Sequence, residues 1–154
     1  MISFLNSQGI LAGARTGDKK TLLAAMAARA AKITGIHDRI VLDAVMQREK
    51  LGSTGVGKGI AIPHARLKDC PRVIGLFAQL HAPIAFDALD DQPVDLVFML
   101  LSPQDAGADH LQALAEISRG LRDGAIADRL RGATSADAVL ALLTQPQFTG
   151  AVAA

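Results

Sequence analysis

The sequence predicts an α/β fold, a three-layer helix/sheet/helix sandwich around a mixed sheet of about four or five strands. Three observations carry that prediction. Val73 to Leu80 and Val94 to Leu101 are nearly continuous apolar runs of strand length, the pattern of strands covered by helices on both faces. Leu22, Met26, Ala30 and Ile33 recur at helical spacing, as do Leu111, Leu114, Ile117, Ser118 and Leu121. The order along the chain is strand, two helices, several strands and then helices, which places helices on either side of a central sheet. At 154 residues the chain reads as one domain spanning 1–154, with no internal repeat or linker. That length buries roughly two thirds of the surface its unfolded form exposes.

Taken in order, Ile10 to Gly13 predicts a short first strand. The first helix starts near Asp18 and ends at Gly35, which has the freedom a helix terminator needs. Asp38 is placed to cap a second helix, with Ile40, Val41, Ala44 and Val45 as its apolar face and Arg48 extending that face by one turn. The glycines from Gly52 onward forbid its continuation. Between the two apolar runs, HAPIAFDALDDQP (81–93) reads as a loop with room for one short edge strand. Asp109 followed by Gln112 resembles a capping box, which would put His110 in the first turn of the next helix. Two further short helices are expected, around Ala125 to Arg131 and, capped by Ser135 or Thr134, around Ala136 to Leu143. A small-residue tail that frays should follow them.

Sixteen Lys and Arg against fifteen Asp and Glu leave a net charge of +1, and there is no Trp or Tyr. Such a balance gives little electrostatic reason to expect nucleic acid as a ligand. Cys70 is the single cysteine, so an internal disulfide is impossible and a reducing compartment is the simpler expectation; the thiol itself reads as a packing residue. The N-terminus lacks the basic segment and apolar core of a signal peptide, and no apolar stretch of about 20 residues is present to cross a bilayer. A cytoplasmic protein without membrane insertion is expected.

Residues 48 to 66, REKLGSTGVGKGIAIPHAR, hold the chemistry. Glycines let backbone amides approach an anion, and the Ile60, Ala61, Ile62 run fixes where the imidazole of His64 points. Of the four histidines, only His64 follows both a glycine loop and a strand, at the carboxyl end where open α/β folds place their sites. An uncharged imidazole with an ordinary pKa of about 6.5 is a competent nucleophile for a phosphoryl group near neutral pH. Transfer passes through a loose transition state, so the protein mainly has to position the group and offer fixed donors. Amides of Gly55, Val56, Gly57 and Gly59 are candidate donors, and Ser53 and Thr54 either donate to phosphate or stabilise the loop.

Gly52, Gly57 and Lys58 nearly spell a nucleotide-binding P-loop. The match fails because Gly59 replaces the magnesium-holding Ser or Thr, and because the order is helix, loop, strand. His37 and His81 lack ligand spacing to any partner, so no metal is implied. Asp87, Asp90, Asp91 and Asp95 lack the order of a calcium loop and are better explained by turn chemistry. No cofactor is called for.

The order Glu49, six residues, Val56, Gly57, two residues, Ile60, Ala61, Ile62, Pro63, His64, Ala65 resembles the signature of type 2 enzyme IIA domains of the bacterial phosphotransferase system. The resemblance runs from about Ile10 to Leu143. QREKLGSTGVGKGIAIPHAR and APIAFDALDDQPVDLVFMLLSP look like the versions found in the nitrogen-regulatory branch. It implies that His64 is the phosphoryl acceptor. His110, by local sequence an exposed first-turn histidine, would face His64 and position the phosphoryl group. Arg48, by local sequence either a surface cation or an inward-facing one, would neutralise phosphate charge. Glu49 would repel phosphate and reads as structural or as a partner for Arg48.

The resemblance also implies partners. His64 would be charged by an HPr-like phosphocarrier (NPr), itself charged by a dedicated enzyme I from phosphoenolpyruvate. The phosphorylation state would then control proteins of nitrogen and potassium balance, such as potassium transport or sensor-kinase components. No transporter or IIB segment lies within the 154 residues, which favours regulation over dedicated sugar uptake. The runner-up is a stand-alone IIA component serving a fructose- or mannitol-type transporter. A third expectation, an interaction module without phosphoryl transfer, is disfavoured because such a copy has no chemical need for His64, Arg48 and His110 together.

Overall fold

A computed structural model describes residues 3–145 and 148. Among the described residues, five helices pack on the two faces of one mixed sheet, whose strands lie in the spatial order first, fifth, sixth, third, second, with the fourth also on the sixth. The strands are β1 (Leu5–Ala14), β2 (Gly55–Gly57), β3 (Ile60–Ala61), β4 (His64–Leu67), β5 (Ile74–Ile84) and β6 (Val94–Pro103). The helices are α1 (Lys19–Thr34), α2 (Asp38–Lys50), α3 (Gly107–Arg122), α4 (Gly124–Gly132) and α5 (Ala136–Leu143). β5 runs antiparallel to β6, whereas β1 on β5 and both β3 and β4 on β6 are parallel. The predicted α/β sandwich with a mixed sheet is therefore the observed one.

Alternation along β5 and β6 explains their unbroken apolar runs. Leu76, Val97, Met99 and Leu101 pack under α1 and α2 with Leu22, Met26, Val41 and Val45. Phe77, Leu96, Phe98 and Leu100 pack under α3 to α5 with Ile117, Leu121 and Leu130. Each such side chain removed from water is worth about 1.5–3 kcal/mol, so one polar substitution on either face is costly. At Gly75 a Cβ would lie 2.7 Å from the Phe98 ring, so this position admits no side chain while Phe98 keeps its place.

β3 and β4 are one strand line interrupted at Ile62 and Pro63. Ala61 pairs with Val97 and His64 with Leu100, so the register on β6 is the same on both sides of the break. Pro63 has no N–H for the ladder, but its carbonyl still accepts from the Leu100 amide at 2.9 Å. Alternation sends Ala65 and Leu67 into the α1/α2 core and leaves His64 and Arg66 on the other face.

Several boundaries differ from expectation. β1 starts at Leu5, not Ile10; as an edge strand it carries exposed Ser7 and Gln8, which mask its period. α1 matches, with Asp18 accepting from the Thr21 amide at 2.7 Å and Gly35 left-handed. The cap of α2 is His37, whose Nδ1 accepts from the Arg39 amide at 3.1 Å, and Asp38 is the first helical residue. Ile40, assigned to the apolar face, is 56% exposed. α3 begins at Gly107, ahead of the supposed capping box; Ala106 is its N-cap and no side chain caps it. Its inward face is accordingly rotated to His110, Ala113, Ile117, Gly120 and Leu121. Ser135 caps α5 through the Ala138 amide, as expected. The expected fraying tail lies mostly outside the described residues.

Candidate functional site

His64 enters the site from the start of β4, immediately after Pro63, and is half-buried. Its Nδ1 lies 2.8 Å from the Ile62 carbonyl. A carbonyl only accepts, so Nδ1 carries the ring proton and Nε2 keeps the lone pair. Arg48 agrees with that assignment: its Nε donates to His64 Nε2 at 3.3 Å, while Nη1 donates to the Gly52 carbonyl at 2.9 Å. The guanidinium is thus held at two points beside the nucleophilic nitrogen.

His110 is buried in α3, its amide bonded to Ala106 O inside the helix ladder. The two imidazole rings have centroids 5.6 Å apart. The other nitrogen pairing is internal: His110 Nδ1 and the hydroxyl of fully buried Ser102 are 2.6 Å apart. Arg66, one strand alternation beyond His64, completes the polar wall of an open cavity of ≈630 Å³ that also holds Arg48, His64 and His110. Leu51 and Leu111, 85% and 62% exposed, form an apolar rim.

Burial lowers the His64 pKa below its ordinary 6.5; the Ile62 hydrogen bond and Glu49 oppose the shift, and Arg48 and Arg66 reinforce it. His110 is pushed down to about 4, by burial first and then by the His64 ring and Arg66. Both rings are therefore neutral at pH 7, one of them with its nucleophilic nitrogen facing fixed positive charge.

The structure brings His64, Arg48 and His110 together as the sequence reading requires, and separates them from the glycine loop. Ser53, Thr54, Gly55, Val56, Gly57 and Gly59 do not line the cavity that holds His64. Ser53 Oγ donates to Phe86 O at 2.9 Å and accepts from the Gly55 amide at 3.0 Å. The Thr54 amide donates to Glu49 at 2.9 Å. Gly57, Lys58 and Gly59, with φ of 101°, 58° and 80°, make the turn between β2 and β3. Asp90 accepts from the Lys58 amide, and Arg131 clamps Asp95 and the Lys58 carbonyl. These residues form a hairpin beside that cavity, and their glycines serve its left-handed turn.

Of the two readings of Glu49, structural or a partner for Arg48, the structure shows the first. Glu49 is buried and bonds Lys19 Nζ at 3.3 Å and the amide and hydroxyl of Thr54, pinning the loop to α1 and α2. His37 is a helix cap and His81 is exposed. Among the described residues no three His, Cys, Asp or Glu side chains are grouped to hold a metal ion. Cys70 is buried, its thiol donating to Arg72 O and its pKa raised by burial, as a packing residue requires.

Two residues of the site escaped the sequence reading. Arg66 was legible from strand alternation, because a residue two beyond His64 shares its face. Ser102 ends the apolar run on the same face as Leu100, and a hydroxyl there needs a buried partner, which the start of the following helix supplies.

An imidazole with a free ring nitrogen, flanked by an arginine and a second histidine, therefore stands at the break in the strand line. Residues 3–145 match the family model for the phosphoenolpyruvate-dependent sugar phosphotransferase system, EIIA 2, and the chain belongs to that family. It is 49% identical over 144 residues to a nitrogen regulatory protein of Bradyrhizobium diazoefficiens, covering 94% of each. The crystal structure of nitrogen regulatory protein IIA-Ntr from Neisseria meningitidis superposes with a TM-score of 0.88 at 34% identity, over 92% of this chain and 97% of that one. A more distant relative, the fructose-specific EIIA component of Haloferax volcanii, is 41% identical over 71% of this chain and 72% of its own. No described helix is long and apolar enough to cross a membrane.

Proposed function

We propose that the protein is a phosphohistidine carrier whose phosphorylation state regulates partner proteins. The observation that carries the proposal is the tautomer of His64: Nδ1 is tied to the Ile62 carbonyl, so the lone pair of Nε2 faces Arg48 in an open cavity. The donor is a phosphohistidine on an HPr-like carrier of the NPr kind. His64 Nε2 forms a P–N bond as the donor's P–N bond breaks, and the donor imidazole leaves with that electron pair. No proton has to move, because the acceptor ring is neutral and keeps its Nδ1 proton.

Arg48 is placed to exchange its bond to Nε2 for the phosphoryl oxygens, and Arg66 adds a second cation. His110 offers an uncharged ring within reach of the same group, positioning its oxygens without itself taking the phosphorus. Fixed charges of this kind are worth most when they need no reorganisation during transfer. The nitrogen regulatory relatives support regulation of nitrogen-related proteins as the output, and potassium-related partners are proposed from the resemblance alone. Delivery to a fructose- or mannitol-type sugar transporter is the second reading, favoured by the fructose-specific relative.

Incubation with phosphoenolpyruvate, enzyme I and the small carrier should add one phosphate that is acid-labile and base-stable. His64→Ala should abolish the label and His110→Ala should only slow it. An equally labelled His64→Ala protein would overturn the proposal.

A further inference from the structure

We propose that Ser102 is a positioning residue that sets the tautomer of His110, holding it opposite to that of His64, so that one ring offers a lone pair and the other an N–H to the same phosphoryl group. The inference rests on the phosphocarrier reading and names how its second histidine is prepared.

Ser102 lies on β6 beside Arg66 of β4, and its side chain is fully buried. Its Oγ is 2.6 Å from His110 Nδ1, and among the described residues that nitrogen is its hydrogen-bond partner. A buried hydroxyl that accepted from Nδ1–H would leave its own proton without an acceptor, which costs more than an unused lone pair. Ser102 therefore donates. Nδ1 is then the acceptor, and the neutral ring must carry its proton on Nε2, the nitrogen left for the cavity shared with His64. His110 is kept neutral at pH 7 by a pKa pushed down to about 4, so the choice is between tautomers and not between charge states.

The pairing is complementary. A backbone carbonyl, which can only accept, forces Nδ1–H on His64; a buried hydroxyl, which here can only donate, forces Nε2–H on His110. The opposite tautomer of His110 would present a lone pair, not a proton, to the oxygens of a phosphoryl group in the cavity it shares with His64. An N–H there instead accompanies the charge that develops on the equatorial oxygens. Since Ser102 is shielded from solvent, it can act on the phosphoryl group only through His110.

Two-bond proton–nitrogen spectra of the imidazoles in the 15N-labelled full chain at pH 7 read both tautomers directly. The wild type should show Nε2–H for His110 and Nδ1–H for His64. Ser102→Ala should populate the Nδ1–H form of His110, leave His64 unchanged and slow phosphoryl transfer about tenfold, the scale of one lost hydrogen bond. Ser102→Thr, which restores the hydroxyl, should restore the spectrum, and Ser102→Ala should add no further slowing in a His110→Ala background. If Ser102→Ala does not fold, Ser102→Cys, similar in shape but a poor donor, should give the same tautomer change. A wild-type His110 found as Nδ1–H, an unchanged His110 in Ser102→Ala, or an equal slowing with and without His110 would overturn the assignment. So would a His64 change as large as that at His110, which would make Ser102 a packing residue. The spectra need no phosphoryl donor, so failure of this assignment is distinct from failure to label His64.

Discussion

His110 couples the site to stability through its proton. Its folded pKa of about 4 lies below the ordinary 6.5, so the unfolded chain binds the proton more readily. The sign follows: the full stability is present above pH 6.5 and is lost as pH falls from there toward 4. The loss attributable to this residue is at most about 3 kcal/mol. Denaturant titrations of wild type and His110→Gln at pH 7.0 and 4.5 should show a smaller pH dependence in the variant. Equal dependence would mean that His110 titrates normally. The two arginines divide by exposure. Arg48, bonded to His64 and Gly52, should slow labelling about a hundredfold when changed to Ala, within the range for losing one fixed donor. Exposed Arg66, screened by solvent and salt, should cost about tenfold. Single-turnover labelling of the two variants checks the order, and an Arg48→Ala rate equal to wild type would remove Arg48 from the mechanism.

At the scale of elements, the β2–β3 hairpin lies outside the lining of the cavity that holds His64. Gly59 has φ of 80°, and a Cβ there would meet Arg131 Nη2 at 2.7 Å and Asp95 Oδ1 at 2.8 Å. Gly59→Ala should therefore cost about 1–3 kcal/mol, measured by denaturant unfolding, while folded protein labels at a nearly wild-type rate. Loss of labelling in a stable Gly59→Ala protein would instead restore the loop to the phosphate site. A turn needing several left-handed residues and a loop cradling an anion use the same composition, so the glycines alone do not distinguish the two. The cap of α3 misled the sequence reading for a similar reason. Asp109 and Gln112 have the spacing of a box, yet the helix starts at Gly107, and its register, set by the core contacts of Ile117 and Leu121, decides that His110 is buried. By contrast the β5 and β6 runs, the Asp18 and Ser135 caps and the Gly35 stop are local signals, and each was legible. Arg48 and His110 were open on local sequence and were placed by resemblance, because their approach to His64 depends on how α2 and α3 seat on the sheet.

Over the whole molecule, charge is almost balanced, so phosphorylation is a large local event on a nearly neutral background. Adding nearly two negative charges between Arg48 and Arg66 changes the sign of a cavity whose rim, Leu51 and Leu111, is apolar and exposed. A regulated partner that docks over this face should discriminate wild type, His64→Ala and His64→Asp. Pull-downs from phosphorylating and non-phosphorylating cells would supply such partners, and equal binding of all three forms would place regulation elsewhere. The sandwich explains how so small a region is held in place: β3 and β4 keep one register on β6 through the Pro63 break, and the carbonyl of Ile62 at that break orients the His64 ring. The central claim is therefore a claim about one nitrogen. Phosphorus and nitrogen NMR of the 15N-histidine-labelled, phosphorylated chain tests it most directly: the account predicts one phosphohistidine, at residue 64, with phosphorus on Nε2 and a proton on Nδ1. Phosphorus on Nδ1, or on any other residue, would contradict it.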